Sequence, residues 1–309
     1  MAAIRIENLC KTYRGGWWKK TGVAALQNLT LEVREGEIFG FLGPNGAGKT
    51  TTIHLLLDLV RPTSGSAFVF DRPAGDAKVR SRLGYLPESV NLHDYYSGRG
   101  LLNFYAGLAG IPRAARAGRI NELLKMFKLE EAAARPVTKF SKGMLQRLGF
   151  AQTLLHEPDL IILDEPTSSL DPVGRKEFRE ILLELKSRGK TVFISSHILS
   201  EVESVCDRVA ILVKGELVRI GTLRELSAPK SVKLIVRGVR QELIDSLAVT
   251  TAEISMARGE ATIKCSDEAT RAAVEKLVAE HQATIERTEV ETQSLEDIFF
   301  AAVAAKKET

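Results

Sequence analysis

The stretch GPNGAGKT, residues 43–50, lies between the apolar run IFGFL and a second apolar run, IHLLLDLV. The first run is short and unbroken, which is typical of a strand buried on both faces. In the second run, apolar residues recur at helical spacing from Ile53 to Val60, and Pro62 ends the pattern. We therefore interpret the glycine-rich stretch as the turn that joins a buried strand to a helix.

This turn matches a phosphate-binding pattern, G-x-x-x-x-G-K-[ST], at Gly43, Gly48, Lys49 and Thr50. Glycine has no Cβ, so backbone N–H groups can turn inward at the positive end of a helix, where phosphates bind. We expect Lys49 to reach the β- and γ-phosphates and Thr50 to bind Mg²⁺. An ordinary glycine-rich turn is the alternative. The expected nucleotide contacts are Gly43, Pro44, Asn45, Gly46, Ala47, Gly48, Lys49, Thr50 and Thr51.

Two carboxylates, Asp164 and Glu165, end another buried run, LIILDEP. Adjacent strands of a parallel sheet bring their carboxyl ends to one crevice. We predict that Asp164 holds the Mg²⁺ shell and that Glu165 orients the attacking water as a general base. A solvated pair at a strand end is the alternative. Together with the glycine turn, the pair indicates hydrolysis rather than binding alone.

The remaining patterns predict two domains. TVFISSH is a further buried strand, and the helical segment between it and LIILDE completes a βαβ unit with a parallel sheet. The chain before residue 40 is typical of antiparallel strands, and residues 98–156 are typical of helices. We place the main domain at residues 1–227 and a small α+β domain at residues 228–309.

The second domain follows a predicted connector, GTLRELSAPKS, and begins with the alternating runs VKLIVRG, AEISMAR and EATIKC. Helices are predicted at ATRAAVEKLVAEH and SLEDIFFAAVAAKK, the second capped by Ser294 with Asp297. This domain has no recognisable acid/base pattern. We expect it to regulate the protein or to support a dimer.

Composition and charge exclude several classes of protein. The 309 residues are 44% hydrophobic, which is enough for a globular core. Net charge is +4, too even a balance for a surface that coats nucleic acid. The cysteines Cys10, Cys206 and Cys265 are widely separated and predict free thiols in a reducing cytosol. Neither a signal peptide nor a run of ~18 apolar residues is recognisable, so we expect a soluble chain.

FSKGMLQRLGFAQ stands shortly before LDEP, and this pairing resembles the signature and Walker B motifs of ABC-transporter ATPases. The resemblance covers residues 3–225. It implies an α/β fold whose core is a P-loop NTPase (RecA-like) domain with an antiparallel β subdomain and a helical subdomain. The small C-terminal α+β domain is an addition to this core.

Further motifs carry the same resemblance in the order of that family. Tyr13 in KTYRGG resembles the A-loop aromatic that stacks on adenine, and Glu88 in YLPE resembles the Q-loop. Asp171 in SSLDP resembles the D-loop, and His197 in SSHILSE resembles the switch histidine that donates to the γ-phosphate. A buried strand aromatic is the alternative for Tyr13, and a structural histidine is the alternative for His197. By the resemblance, Glu88 contacts Mg²⁺ or its water.

In that family two cassettes enclose two ATP molecules head to tail. The resemblance therefore puts the signature residues of one chain at the γ-phosphate bound by the other chain. The helix that begins near these residues would offer backbone N–H groups, a hydroxyl and the positive end of its dipole to that phosphate. A simple capped helix is the alternative. These residues are Ser141, Lys142, Gly143 and Met144.

The sequence departs from the family pattern at two places. The signature is FSKGM where LSGGQ is usual, and Glu88 stands where glutamine is usual, which is expected to alter metal affinity. These variants and the C-terminal module resemble the ATPase subunits of bacterial exporters with a separate permease. The insert holding Trp17 and Trp18 is interpreted as a hairpin tip on its own sheet, with contact to lipid or a partner as the alternative.

We therefore predict an ATPase with ATP and Mg²⁺ as ligands, which dimerises with itself or a homologous ABC subunit. It is expected on the cytoplasmic face of the membrane, where it powers export through a permease, with no nucleic-acid partner. An ABC ATPase acting on a nucleic acid or a ribosomal partner is the alternative, although no tandem cassette, coiled coil or zinc insertion is recognisable. A P-loop kinase is a further alternative, but that function would not explain the presence of SKGMLQR or of His197.

Overall fold

The computed structural model describes residues 1–13, 22–93, 95–226, 229–247, 250, 252–257, 260–292 and 294–305. Two compact units divide the chain, one chiefly Met1–Leu223 and the other Arg224–Ala301. This division falls slightly before the predicted boundary at residue 227. The insert with Trp17 and Trp18 lies outside the described residues.

The first unit contains two sheets with helices between and around them. Its strands are β1 (Ala2–Tyr13), β2 (Val23–Arg34), β3 (Ile38–Leu42), β4 (Ser64–Val69), β5 (Arg72–Pro73), β6 (Leu83–Leu86), β7 (Leu160–Asp164), β8 (Thr191–Ser196), β9 (Arg208–Val213) and β10 (Glu216–Thr222). Its helices are α1 (Lys49–Leu56), α2 (Ala77–Arg80), α3 (Gly98–Leu108), α4 (Arg113–Met126), α5 (Lys142–Thr153), α6 (Pro172–Ser187) and α7 (Leu199–Val205).

The N-terminal strands form an antiparallel sheet in the order β2-β1-β4-β5. The second sheet has the order β10-β9-β3-β8-β7-β6, with parallel pairing from β9 through β6 and an antiparallel edge strand β10. Every residue of β3, β7 and β8 is buried, as expected for parallel strands covered on both faces. Phe193 of β8 contacts two aromatic rings of β3, with ring centroids 5.8 Å from Phe39 and 5.2 Å from Phe41.

The parallel register brings three strand ends to one edge of this sheet. Leu42 at the end of β3 pairs with Ser196 of β8, and Asp164 at the end of β7 pairs with Ser195. The glycine-rich turn directly follows β3 and His197 directly follows β8, while Asp164 ends β7 and Glu165 comes directly after it. The strand order therefore gathers residues that are far apart along the chain.

Helices α3, α4 and α5 form the helical part of this unit, and α7 packs against the parallel sheet. Gly40 of β3 allows the close approach of α7, because a Cβ there would lie 2.6 Å from Val202 Cγ1 and 3.0 Å from Cys206 Sγ. The segment that follows His197 is thus held directly on the strand that leads into the glycine-rich turn.

The second unit has a β-α-β-β-α-β succession. These elements are β11 (Pro229–Arg237), α9 (Gln241–Leu247), β12 (Glu253–Ala257), β13 (Glu260–Cys265), α10 (Glu268–Glu280) and β14 (Thr284–Thr292). The short helix α8 (Leu223–Leu226) precedes them at the boundary, and most of helix α11 (Leu295–Ala305) follows them, the unit ending at Ala301. The antiparallel sheet order β12-β13-β11-β14 is that of a ferredoxin-like fold. Leu234, Ile263 and Val274 lie in its apolar core.

The sequence analysis missed α9 and β14 and interpreted residues 221–231 as a connector. That interpretation was wrong, because the segment contains the end of β10, the helix α8 and the start of β11. β14 pairs with β11 along its length, so backbone hydrogen bonds stabilise a strand whose alternation of apolar residues is weak. The predicted capping box is confirmed, since Asp297 N donates to Ser294 Oγ at 3.1 Å and Ser294 N donates to Asp297 Oδ2 at 3.2 Å. None of the helices in the described ranges combines the length and the apolar composition that crossing a bilayer requires.

Candidate functional site

The turn between β3 and α1 borders a cavity of about 370 Å³. The wall of this cavity brings the predicted phosphate-binding residues together with Glu88 and with the start of β2. The lining residues are Val23, Ala24, Ala25, Pro44, Asn45, Gly46, Ala47, Gly48, Lys49, Thr50, Thr51 and Glu88. The predicted residue Gly43 lies behind this lining, where a Cβ would be 2.5 Å from the carbonyl oxygen of Leu212.

The backbone of the turn has the geometry of an anion site. Gly48 has a φ of +106°, and a Cβ there would lie 2.5 Å from the carbonyl oxygen of Ala25, so only glycine fits. The hydrogen bond from Thr52 N to Gly48 O, at 2.9 Å, begins the ladder of α1. The preceding N–H groups of the helix start are therefore not used by α1 itself. Such groups at the positive end of a helix suit a phosphate.

Lys49 joins the turn to the end of β7. Its side chain is buried, and its Nζ donates to the carbonyl oxygen of Gly43 at 2.6 Å. The same Nζ lies 3.1 Å from Oε1 of Glu165. The carboxylate predicted to act as a base therefore lies within contact distance of the lysine predicted to bind phosphate.

Glu165 has a strained backbone, with a φ of +47° that is uncommon for a residue with a side chain. Its N–H donates to Ser195 Oγ at 3.1 Å and to Ser195 O at 3.2 Å. Oε2 of the carboxylate lies 2.7 Å from His197 Nδ1. Contacts from β8 and from the residue after it therefore hold both the backbone and the side chain of Glu165.

Ser195 is a site residue that the sequence analysis missed. It is fully buried, and its hydroxyl donates to Asp164 Oδ1 at 2.5 Å while it accepts the N–H of Glu165. One hydroxyl thus connects both carboxylates of the predicted pair. The available signal was a serine at the buried end of an otherwise apolar strand, since a buried hydroxyl needs a hydrogen-bond partner.

The carboxylates create a negative field next to β6. Burial, together with the charges of Asp164 and Glu88, raises the pKa of Tyr85 to about 12 from its ordinary value of 10.0. This concentration of negative charge at the sheet edge suits a bound cation.

The signature residues lie elsewhere on the surface. Ser141 caps α5 by accepting the N–H of Met144 at 3.2 Å, and both Ser141 and Lys142 are exposed. Asp171, which is also exposed, caps α6 by accepting the N–H of Gly174 at 2.7 Å. Across the described ranges, the lining of the cavity includes neither the four predicted residues 141–144 nor Asp171.

Tyr13 lies next to the cavity without lining it. It pairs with the lining residue Val23 across β1 and β2, and 39% of its surface is exposed. The ammonium of Lys11 lies 5.0 Å from the centre of its ring. The alternative of a buried strand aromatic is therefore wrong for Tyr13.

A second residue that the sequence analysis missed, Gln146, connects α5 to the segment that follows the carboxylate pair. Its side chain is buried, and Nε2 donates to the carbonyl oxygen of Pro166 at 3.0 Å. Pro166 directly follows Glu165. Helix α5 is thus hydrogen-bonded to the residue next to the predicted base of the same chain.

Comparison with known proteins gives the family. The sequence profile described as ABC transporter matches residues 26–168. An uncharacterized ABC transporter ATP-binding protein of Nostoc sp., all4389, is 49% identical over 73% of this chain and 68% of its own length. The protein YxlF of Bacillus subtilis, which has the same description, is 36% identical over 98% of this chain and 100% of its own length. The chain belongs to the ABC transporter ATP-binding proteins.

Other matches agree with this membership. The bacitracin transport ATP-binding protein BcrA of Bacillus licheniformis is 43% identical over 62% of this ABC subunit and 63% of its own length. A solved dimeric structure of the ATP-binding cassette MJ0796, bound to ADP and Pi after hydrolysis, superposes with a TM-score of 0.66 at 27% identity, covering 72% of this chain and 99% of that one. The predicted P-loop fold is confirmed, as is the prediction that the chain binds and hydrolyses ATP as a nucleotide-binding subunit of a transporter.

Proposed function

We propose that this ABC subunit binds ATP with Mg²⁺ in the cavity at the β3–α1 turn, closes head to tail on a second copy of itself or on a homologous ABC subunit, and powers export through a separate membrane permease. One observation carries the proposal. Lys49 at the start of α1, Glu165 after β7 and His197 after β8 meet at this site. Nζ of Lys49 lies 3.1 Å from Oε1 of Glu165, and Oε2 of Glu165 lies 2.7 Å from Nδ1 of His197. This is an arrangement for positioning a terminal phosphate and a water.

The donor set suits Mg²⁺. Thr50 and Glu88 line the cavity, and Asp164 ends the neighbouring buried strand. Hydroxyl and carboxylate oxygens are the ligands that this hard cation prefers, in combination with phosphate oxygens. We assign the cation to Thr50, Asp164 and Glu88. When bound, Mg²⁺ neutralises the negative charge that develops on the transferred phosphoryl group.

Glu165 is assigned as the general base. Its Oε2 is oriented by His197 Nδ1, and its backbone is held by Ser195, so the carboxylate is fixed before any nucleotide arrives. It accepts a proton from the attacking water, while Lys49 and the N–H groups of the helix start hold the phosphates. His197 then donates to the γ-phosphate.

The second copy supplies what the cavity of one chain lacks. The exposed start of α5 and the exposed Asp171 are available to the nucleotide of another subunit. The positive end of α5, with the hydroxyl of Ser141, suits a γ-phosphate. Tyr13, beside the lining residue Val23, is assigned to the adenine ring.

A role in transport is supported by a relative. The name of BcrA assigns it to bacitracin transport. We infer the same class of work here, with the subunit on the cytoplasmic face of the membrane and with the C-terminal unit regulating or supporting the dimer.

The central test compares Glu165→Gln with Lys49→Ala in the full chain. Glu165→Gln keeps the shape of the side chain but not its basicity, so it should bind ATP and Mg²⁺, accumulate as a dimer in size-exclusion chromatography, and lose at least about 100-fold in kcat. Lys49→Ala should weaken ATP binding itself and form no ATP-dependent dimer. Glu180→Gln, on the exposed side of α6, is the matched control and should behave as the wild type.

A Glu165→Gln variant that binds ATP and Mg²⁺ yet remains monomeric, with and without its membrane partner, would contradict the proposed sandwich. The proposed association with a permease is tested by purifying the tagged chain from membranes and identifying what is recovered with it. Recovery of an integral membrane protein supports the transport function, whereas retention of RNA or DNA supports the nucleic-acid alternative.

A further inference from the structure

A buried carboxylate on α7, Glu201, connects two segments of the site. The helix α7 begins shortly after His197, and the segment 167–171 leads from Glu165 to the start of α6. The hydroxyl of Thr167, at the beginning of that segment, donates to Oε2 of Glu201. Glu201 therefore contacts the segment at the point where it leaves the carboxylate pair.

Arg175 of α6 contacts the other end of the same segment. Its Nη1 lies 3.3 Å from Oε1 of Glu201, and its Nε donates to the carbonyl oxygen of Leu170 at 3.2 Å. Leu170 immediately precedes Asp171. Glu201 thus holds one end of segment 167–171 directly, through Thr167, and the other end through Arg175.

Glu201 and Thr167 make their contact in a largely buried position. The side chain of Glu201 is 16% exposed, and Thr167 is 5% exposed. Within the part of the chain that the structure describes, Oε1 of Glu201 has no well-aligned hydrogen-bond donor, so its charge depends on Arg175. The side chain of Arg175 is 40% exposed, so the burial lies on the carboxylate side of the pair. Removing Arg175 as a partner leaves the charge of a largely buried carboxylate uncompensated, which is more costly than the loss of a fully exposed pair.

We propose that Glu201 is a positioning residue that couples the segment carrying His197 to the segment carrying Asp171. This inference rests on the proposed function, in which His197 contacts the γ-phosphate of its own chain and Asp171 faces the partner subunit. Through Glu201, a displacement of one segment moves the other, so the state of one nucleotide reaches the dimer contact. Glu201 itself touches no reacting atom.

The geometry predicts which kinetic constant changes. The cradle for the phosphates lies at the β3–α1 turn, and its lining includes none of Thr167, Arg175 and Glu201 among the described residues. These three instead border a separate cavity of about 280 Å³, so glutamine at position 201 has room. Loss of the charge should therefore lower kcat while leaving ATP binding in place.

The experiment measures steady-state ATP hydrolysis by the full chain carrying Glu201→Gln. We expect kcat to fall about tenfold and KM for ATP to change by less than about twofold, because the hydrogen bond from Thr167 is retained and the pairing with Arg175 is lost. Glu203→Gln makes the same change of charge on an exposed position of α7 and should keep the wild-type kcat.

A double-mutant cycle with Arg175→Gln separates coupling from general damage. If Arg175 acts through Glu201, adding Glu201→Gln to Arg175→Gln should cause no further loss of kcat. Additive losses, or a Glu201→Gln variant in which KM rises as much as kcat falls, would overturn the inference.

The inference and the proposed function fail in different ways. A wild-type kcat for Glu201→Gln beside an inactive, dimer-forming Glu165→Gln overturns only the role of Glu201. Absence of an ATP-dependent dimer in Glu165→Gln overturns the proposed function on which that role rests.

Discussion

Replacement of Ser195 by alanine tests the link between the two carboxylates. The hydroxyl donates to Asp164 Oδ1 at 2.5 Å and accepts the N–H of Glu165 at 3.1 Å. Ser195 is 0% exposed and Asp164 is 1% exposed, so water cannot readily replace the lost partner. Ser195→Ala should therefore affect both the stability of the core and the orientation of Glu165.

The magnitude follows from the two contacts. A hydrogen bond to a charged group contributes about 1.5–3 kcal/mol. The N–H of Glu165 still donates to the carbonyl oxygen of Ser195 at 3.2 Å, so that contact is lost only in part. We expect a loss of about 2–3 kcal/mol in the free energy of unfolding, or a fall in Tm of about 5–10 °C for a domain of this size. Because Glu165 is less firmly held, kcat should also fall, by about tenfold.

The assay is urea unfolding followed by circular dichroism, with ATP hydrolysis measured on the same samples. Ser196→Ala is the matched control for stability, since Ser196 is equally buried but its hydroxyl accepts the N–H of Ile198 at 2.9 Å within its own turn. Its loss should cost about 1 kcal/mol. A Ser195→Ala variant that unfolds at the same urea concentration as Ser196→Ala would refute the argument that Ser195 stabilises the buried carboxylates.

Two further variants test the turn and the field of the carboxylates. Gly48→Ala would put a Cβ 2.5 Å from the carbonyl oxygen of Ala25, so the affinity for ATP should fall at least about 100-fold in a binding titration. Gly36→Ala is the control: Gly36 also has a positive φ, but a Cβ there would have no atom within 4 Å. This control should lower the stability of the fold and leave the affinity for ATP unchanged. Burial raises the pKa of Tyr85 to about 12 from 10.0, so the free energy of unfolding should decrease as pH rises from 10.0 to about 12, where the unfolded chain ionises first. Tyr85→Phe should remove this decrease, and an unchanged alkaline profile of Tyr85→Phe would contradict the assignment.

The local features of the site could be predicted from the sequence because each depends on neighbouring residues. Gly48, Lys49 and Thr50 stand between a strand pattern and a helix pattern, and the structure has β3 and α1 at these places. The capping pair Ser294 and Asp297 likewise depends on a spacing of one helical turn. In contrast, α9 and β14 were missed, because one is short and the other alternates weakly.

The sequence by itself determined the family motifs, the strand–turn–helix at residues 38–56 and the kinds of side chain available for phosphate and metal. Only the tertiary structure decided that Ser195 connects both carboxylates, that Gln146 contacts Pro166 and that Glu201 holds segment 167–171. These contacts join residues on separate strands and helices, whose distances depend on sheet order and helix packing. No local pattern encodes such distances, because side chains far apart along the chain meet only when the parallel strands align their ends.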